Sequence, residues 1–234
     1  MASRVSTTTS SITESRNAER DPDKGVTITT RELLDHQSGI VHYNNGPVIH
    51  TERSYPTPHP FADVIVALDT FKESPLVNPP GDKYSYSPHG FILLSAVVQR
   101  AGKQAFADQV SERIAQPLGL LTLRPDYQWM NIPNRAVGDR KHDEKIERSS
   151  DADVSWKRGG GGFISNIDDF ANFAAGLINY RLVSSTIESE MWTQQTPKNG
   201  ELTERGLGFV VQIDKNVQLK ISRDGEQEKT ARAS

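Results

Sequence analysis

The chain of 234 residues contains no cysteine, which excludes disulfide bonds, thiolate metal sites and a cysteine nucleophile. It also lacks a long hydrophobic run. The longest one, GFILLSAVV at residues 90–98, is about half of the ~18–20 residues that a membrane-spanning helix needs. Charge of one sign is not in excess, since 27 Lys and Arg stand against 30 Asp and Glu. This balance gives no electrostatic reason to expect a nucleic acid or an anionic membrane as the partner.

The beginning of the chain is rich in Ser and Thr and has almost no apolar side chains. It lacks the apolar core of a secretory signal, and Glu14 and Glu19 argue against a transit peptide. We therefore expect residues 1–25 to be disordered or loosely packed. The compartment is unknown, and a cytoplasmic protein is the default expectation. Residues 26–234 are long enough to bury one sizeable core, so they are expected to form the folded part.

Cap residues and apolar periodicity predict mostly helical structure until late in the chain. We predict helices over residues 31–37, 61–71, 88–102, 104–116 and 186–192, and one more after a cap at Ser165. Two alternating stretches, 206–214 and 217–223, predict a β-hairpin. Helices followed by a late hairpin favour an α+β arrangement over a repeated βαβ unit.

The clearest helix start combines Ser87 as the N-cap with Pro88 at the first helical position. Gly102 is expected to end this apolar helix. Tyr86 precedes it, where the positive end of the helix dipole favours a phenolate that could act as a general base. The alternative is a tyrosine that packs against the helix start.

Other local patterns allow both a functional and a structural interpretation. Four glycines at 159–162 could cradle a phosphate, but no Lys-Ser/Thr follows them, and a tight turn explains them as well. Arg223 ends the hairpin, where it could anchor a carboxylate or simply decorate an edge strand. Histidines are frequent between residues 36 and 59, yet their intervals follow no zinc pattern, so we expect no metal.

Six segments also occur in the order known from one family. They are ITTRELLDHQSGI (28–40), GDKYSYSPHGFILLSAVVQRAG (81–102), PLGL (117–120), WKRGGGGFISNIDDFANFAAGLI (156–178), GLGF (206–209) and SRDG (222–225). In this order they resemble the serine beta-lactamase and penicillin-binding-protein-like hydrolases, in particular the class C-type esterases and mitochondrial beta-lactamase-like proteases. The resemblance implies an α+β fold of the beta-lactamase/transpeptidase type, with helices packed on an antiparallel sheet and incomplete in this chain.

The resemblance also implies roles for individual residues. In the family a serine of an S-x-x-K motif attacks a carbonyl, and the lysine and a tyrosine take its proton. By position, Tyr86 is the catalytic tyrosine, while Ser87 and the third-motif residues Arg223, Asp224 and Gly225 bind the substrate. Pro88 stands where the family has Asn. A small-molecule or peptide carbonyl compound is the implied substrate, and no cofactor is implied.

The nucleophile motif itself is absent, because no lysine of the chain has Ser or Thr three residues before it. We therefore expect a shortened family member, marginally stable and prone to self-association because an apolar face is left uncovered. One interpretation is a hydrolase of ester, amide or β-lactam bonds that uses Ser3, Ser6, Ser38 or Ser87 instead. The other is a non-catalytic fragment or pseudoenzyme that binds a ligand or a protein partner through the retained cleft.

Overall fold

The computed structural model describes residues 26–136, 138–143, 145–148, 153–213, 216, 218–223 and 225. Its α-helices, in chain order, are α1 (Thr30–Leu34), α2 (Val64–Ala67), α3 (Pro88–Gly102), α4 (Phe106–Val110), α5 (Gln116–Leu118), α6 (Ile167–Ile178) and α7 (Ser185–Met191). Short 3₁₀ turns at Pro60–Ala62 and Leu68–Thr70 flank α2, a third lies at Ser155–Lys157, and a π-helical turn at Ser111–Ala115 joins α4 to α5.

The strands of the described part form three antiparallel pairs. They are β1 (Arg124–Pro125) with β4 (Phe163–Ile164), β2 (Asp139–His142) with β3 (Lys145–Arg148), and β5 (Val210–Ile213) with β6 (Leu219–Ser222). The last pair is the predicted late hairpin. Helices and antiparallel strands together confirm the α+β class, although each sheet described here has only two strands.

Side-chain caps start the helices that carry the site. Thr29 and Glu32 form a reciprocal capping box at the start of α1. At α3, the Ser87 hydroxyl accepts a hydrogen bond of 3.4 Å from the Gly90 amide, and Pro88 occupies the first turn, as predicted. The predicted cap of α6 is wrong by one residue: Asn166, rather than Ser165, accepts the Asp169 amide at 2.8 Å.

The main core lies where α3 meets α1 and α2. Its buried side chains are Ile28, Leu33, Ile40, Val64, Ala67, Leu68, Phe71, Ile92, Leu93 and Ala96. Leu33 and Ile92 are completely inaccessible to solvent. Because α3 is buried on most sides, its N-terminal end is held in a fixed position relative to the segments around it. No helix in the described part of the chain is long and apolar enough to cross a membrane.

The glycine run at 159–162 packs directly on α3. A Cβ atom at Gly159 would lie 2.1 Å from the Phe91 carbonyl oxygen and 2.8 Å from the Ser95 Cβ. A side chain therefore cannot be accommodated there without moving the backbone. The structural interpretation of this run, a tight turn that lets the chain approach a helix closely, is what the contacts of Gly159 support.

Replacing Gly159 with alanine is expected to destabilise the fold by about 1–3 kcal/mol, because the added methyl group overlaps α3. Gly90→Ala in α3 is the matched control. Its Cβ would meet its nearest neighbours at 3.6 Å or more, and alanine is the better helix former. Urea unfolding of both variants is the measurement, and equal stability of the two variants would contradict the close approach.

Candidate active site

The segment before α3 is held by buried hydrogen bonds to the segment after α1. The Ser85 amide donates to the His36 carbonyl oxygen at 2.8 Å, and the Ser87 amide donates to His36 Nδ1 at 3.2 Å. The Ser87 hydroxyl donates to the Val41 carbonyl oxygen at 2.9 Å. The intervening residue, Tyr86, therefore has both of its neighbours fixed.

Tyr86 is 39% exposed and its ring contacts two histidines. The centroid of its ring lies 4.5 Å from that of His36 and 5.5 Å from that of His42. The ring of His36 also packs against Tyr84 and Phe91, at centroid distances of 6.0 and 5.1 Å. The ring of His36 thus packs behind that of Tyr86, a contact that the sequence did not predict.

One face of the hairpin β5–β6 is turned toward Tyr86. Val210 pairs with Ser222 and Gln212 pairs with Lys220, so these four side chains share a face of the hairpin. Together with Tyr84, Tyr86, Glu204, Arg205 and Arg223 they line a cavity of about 780 Å³. The structure therefore brings Tyr86 and Arg223 to one cavity, although they come from distant parts of the chain.

Two of the other site residues proposed from the sequence do not line this cavity. Ser87 is buried, its hydroxyl is committed to the helix cap and to Val41, and it is not among the residues that line the cavity. Gly225 is exposed and does not line the cavity either. Asp224 lies outside the described residues.

Seven lining residues were not proposed as site residues from the sequence: Tyr84, Glu204, Val210, Arg205, Gln212, Lys220 and Ser222. The last three follow from the alternation of the predicted hairpin, once its facing side is known. Arg205 gives no such signal, because it precedes the G-L-G-F segment and reaches the cavity only through an isolated bridge to Val210.

Both arginines rest on aromatic rings. The guanidinium carbon of Arg205 lies 5.3 Å from the centroid of the Tyr84 ring, and that of Arg223 lies 5.6 Å from the Phe91 ring. Their positive charges also act on His36, which packs behind the tyrosines. Burial, followed by the positive charges of Arg223 and Arg205, lowers the pKa of His36 to about 3. His36 is therefore neutral near pH 7, which agrees with its Nδ1 accepting the Ser87 amide.

The serines considered as replacement nucleophiles do not reach the cavity where they are described. Ser38 and Ser87 are each 1% exposed, and neither lines the cavity. Ser3 and Ser6 lie outside the described residues. Ser222 does line the cavity, on the same strand face as Lys220.

A sequence model of the beta-lactamase family matches residues 15–225. The chain belongs to the beta-lactamase family. Within this family of serine hydrolases, the chain is 32% identical over 121 residues to the mouse mitochondrial serine beta-lactamase-like protein LACTB, a match that covers 50% of this chain and 21% of the mouse protein. The matched stretch thus spans only about a fifth of that relative.

Solved structures confirm the beta-lactamase/transpeptidase-like fold. A D-stereospecific amidohydrolase from Streptomyces superposes with a TM-score of 0.65 at 21% identity, covering 92% of this chain and 68% of the other. An octameric penicillin-binding protein homologue from Pyrococcus abyssi superposes with a TM-score of 0.61 at 17% identity, covering 93% and 55%. At these identities the similarity shows the fold alone.

Acid should destabilise this family member through its buried histidines. Burial lowers the pKa of His36 to about 3 and that of His89 to about 4, from 6.5 for an exposed histidine. The unfolded chain therefore takes up protons first as the pH falls below 6.5, and the folded state loses stability down to about pH 4. Asp35 acts in the opposite direction between about pH 6 and 3.8, since burial raises its pKa to about 6.

Replacing His89 with asparagine should remove the proton that the unfolded chain takes up at His89. The amide of asparagine can keep the 2.8 Å bond that His89 Nδ1 makes with the Val41 carbonyl oxygen. The loss of unfolding free energy between pH 7 and 5 should then shrink by about 2 kcal/mol. Urea unfolding at both pH values measures this, with exposed His50→Asn as the control. An unchanged loss in His89→Asn would contradict a neutral buried histidine.

Proposed function

We propose that the chain binds ester, amide or β-lactam carbonyl compounds in the cavity between Tyr86 and Arg223, and hydrolyses them through an acyl-enzyme as a serine hydrolase. The observation that carries the proposal is that Tyr86 and Arg223 line one cavity. These are the positions at which the family motifs have the proton-transfer tyrosine and the cation of the third motif. Membership of the beta-lactamase family supports the reaction class.

The charges around the cavity suit this reaction. Attack on a carbonyl group places negative charge on its oxygen, and fixed positive charges near that oxygen lower the barrier. Arg223 and Arg205 supply such charges, and both are braced by aromatic rings. In this proposal the Tyr86 hydroxyl relays the proton between the nucleophilic serine and the leaving group, and Arg223 binds a polar group of the substrate.

A second candidate function is ligand binding without turnover, and the serines favour it. The sequence contains no S-x-x-K motif, and Ser38 and Ser87 are buried away from the cavity. Loss of a serine nucleophile lowers kcat by about 10⁶-fold in serine hydrolases. Among the described serines, Ser222 is the one on the cavity wall, so it is the serine that a labelling experiment should find if this chain supports turnover.

Reaction with a fluorophosphonate probe and hydrolysis of nitrophenyl butyrate separate the two candidates. For a hydrolase we expect one serine to be labelled stoichiometrically, and replacing that serine with alanine should abolish both labelling and hydrolysis. Peptide mapping by mass spectrometry identifies the serine. Complete absence of labelling in the folded chain would leave only the binding function.

Tyr86→Phe should abolish serine-dependent hydrolysis, because the hydroxyl that relays the proton is removed while the ring contacts with His36 remain. Tyr180→Phe is the matched control, since Tyr180 is exposed and does not line the cavity. Initial rates of nitrophenyl butyrate hydrolysis are the readout. Equal rates in the Tyr86→Phe variant and the native chain would refute the role of Tyr86.

We also propose that the chain associates with a second copy of itself. The described part of α6 leaves Ile167, Phe170 and Ile178 exposed, which is a large apolar area for one helix. A structural relative that is octameric supports the proposal. Size-exclusion chromatography should show a species larger than 26.0 kDa that Phe170→Ser converts toward the monomer. A compact native monomer would contradict this.

A further inference from the structure

The cavity that contains Tyr86 has an unbalanced charge. Its lining residues include three cations, Arg205, Lys220 and Arg223, against one carboxylate, Glu204. That carboxylate is already engaged, since Glu204 Oε2 accepts a hydrogen bond of 2.5 Å from the Gln212 amide. Among the residues that the structure describes, the lining side chains therefore carry two more positive than negative charges.

Some cations in the described part of the chain form ion pairs with carboxylates. Asp69 pairs with Arg53 and Lys72, Asp126 with Arg135, and Glu190 with Arg31. Within the same described residues, Arg205, Lys220 and Arg223 form no ion pair. Three cations gathered around one cavity with a single carboxylate repel each other, and an anion between them relieves that repulsion.

The backbone places the two arginines on segments that flank β5 on its two edges. Arg205 bridges to Val210, and Val210 pairs with Ser222, the residue before Arg223. The guanidinium groups are oriented by Tyr84 and Phe91, which limits the conformational freedom that binding must remove. Burial raises the pKa of Tyr84, and the positive charges of Arg205 and Arg223 both oppose that rise, so they act on the same wall.

We propose that the cavity selects ligands with two negative charges, and that Arg205 binds the second negative group while Arg223 binds the first. The shared chemistry is a pair of anionic oxygen groups or one doubly charged group, as in a dicarboxylate or a phosphate monoester. This specificity rests on the proposed function of the cavity as the substrate site. The role of Arg205 distinguishes this specificity for two charges from the recognition of one carboxylate by Arg223 alone.

Two pairs of ligands that differ by one charge test the proposal on the full chain. Succinate is compared with monomethyl succinate, and phenyl phosphate with methyl phenyl phosphate, by isothermal titration calorimetry at pH 7.5. At least one dianion should bind about tenfold or more tightly than its singly charged partner, as expected for one additional charge-assisted contact. Which dianion shows the preference distinguishes the dicarboxylate from the phosphate source.

Variants then locate the preference. Arg205→Gln should weaken binding of the preferred dianion about tenfold and leave binding of its singly charged partner within about twofold. Arg100→Gln is the charge-matched control, because Arg100 lines a different cavity with Asp63 and Lys103. Circular dichroism verifies folding, and Arg205→Lys, which keeps the charge without the planar fork, should fall between the native chain and Arg205→Gln.

Equal affinities of the native chain for both members of each pair would overturn the proposal, even if Arg205→Gln failed to fold. Undiminished preference in a folded Arg205→Gln variant would overturn the role of Arg205. Failure of the hydrolase proposal gives a different result: serine labelling and hydrolysis of the neutral nitrophenyl butyrate are absent, whereas dianion preference persists.

Discussion

The site depends on the buried hydrogen bonds that join the start of α3 to residues 36–41. Ser87 and His89 both donate to the Val41 carbonyl oxygen, and the Ser87 amide donates to His36. Buried polar groups are costly unless they are paired, so these bonds specify one arrangement of the two segments. Tyr86 lies between the residues that form these bonds. Its neighbours therefore hold its ring toward the cavity, and the ring needs no hydrogen bond of its own.

This constraint explains why His36 has an unusual backbone and an unusual ionisation. Its φ angle is 60°, which is uncommon for a residue with a side chain, and the hydrogen bonds to both its carbonyl oxygen and its ring compensate for that conformation. A protonated ring could not accept the Ser87 amide. Burial, followed by the positive charges of Arg223 and Arg205, keeps the pKa of His36 low, and the neutral ring can then accept the bond that fixes the segment around Tyr86.

Local signals predicted the elements well and the site only in part. Ser87 and Pro88 define the start of α3, because capping involves neighbours in sequence. The helix also ends at Gly102 as predicted, although the left-handed conformation falls on Lys103. Arg205 was not predictable, because its place in the cavity is set by pairing with Val210, which no local pattern encodes.

Those pairings also decide what kind of cavity the fold makes. Alternation along β6 places Lys220 and Ser222 on one face, and the register with β5 sets them opposite Gln212 and Val210. Gln212 donates a hydrogen bond to Glu204, the one carboxylate among the described lining residues, so the three cations are only partly neutralised from within the lining. A shift of β6 by one residue would turn Lys220 and Ser222 to the other face. The positive character of the cavity is therefore a property of strand pairing as much as of composition, and the nearly neutral chain as a whole gives no indication of it.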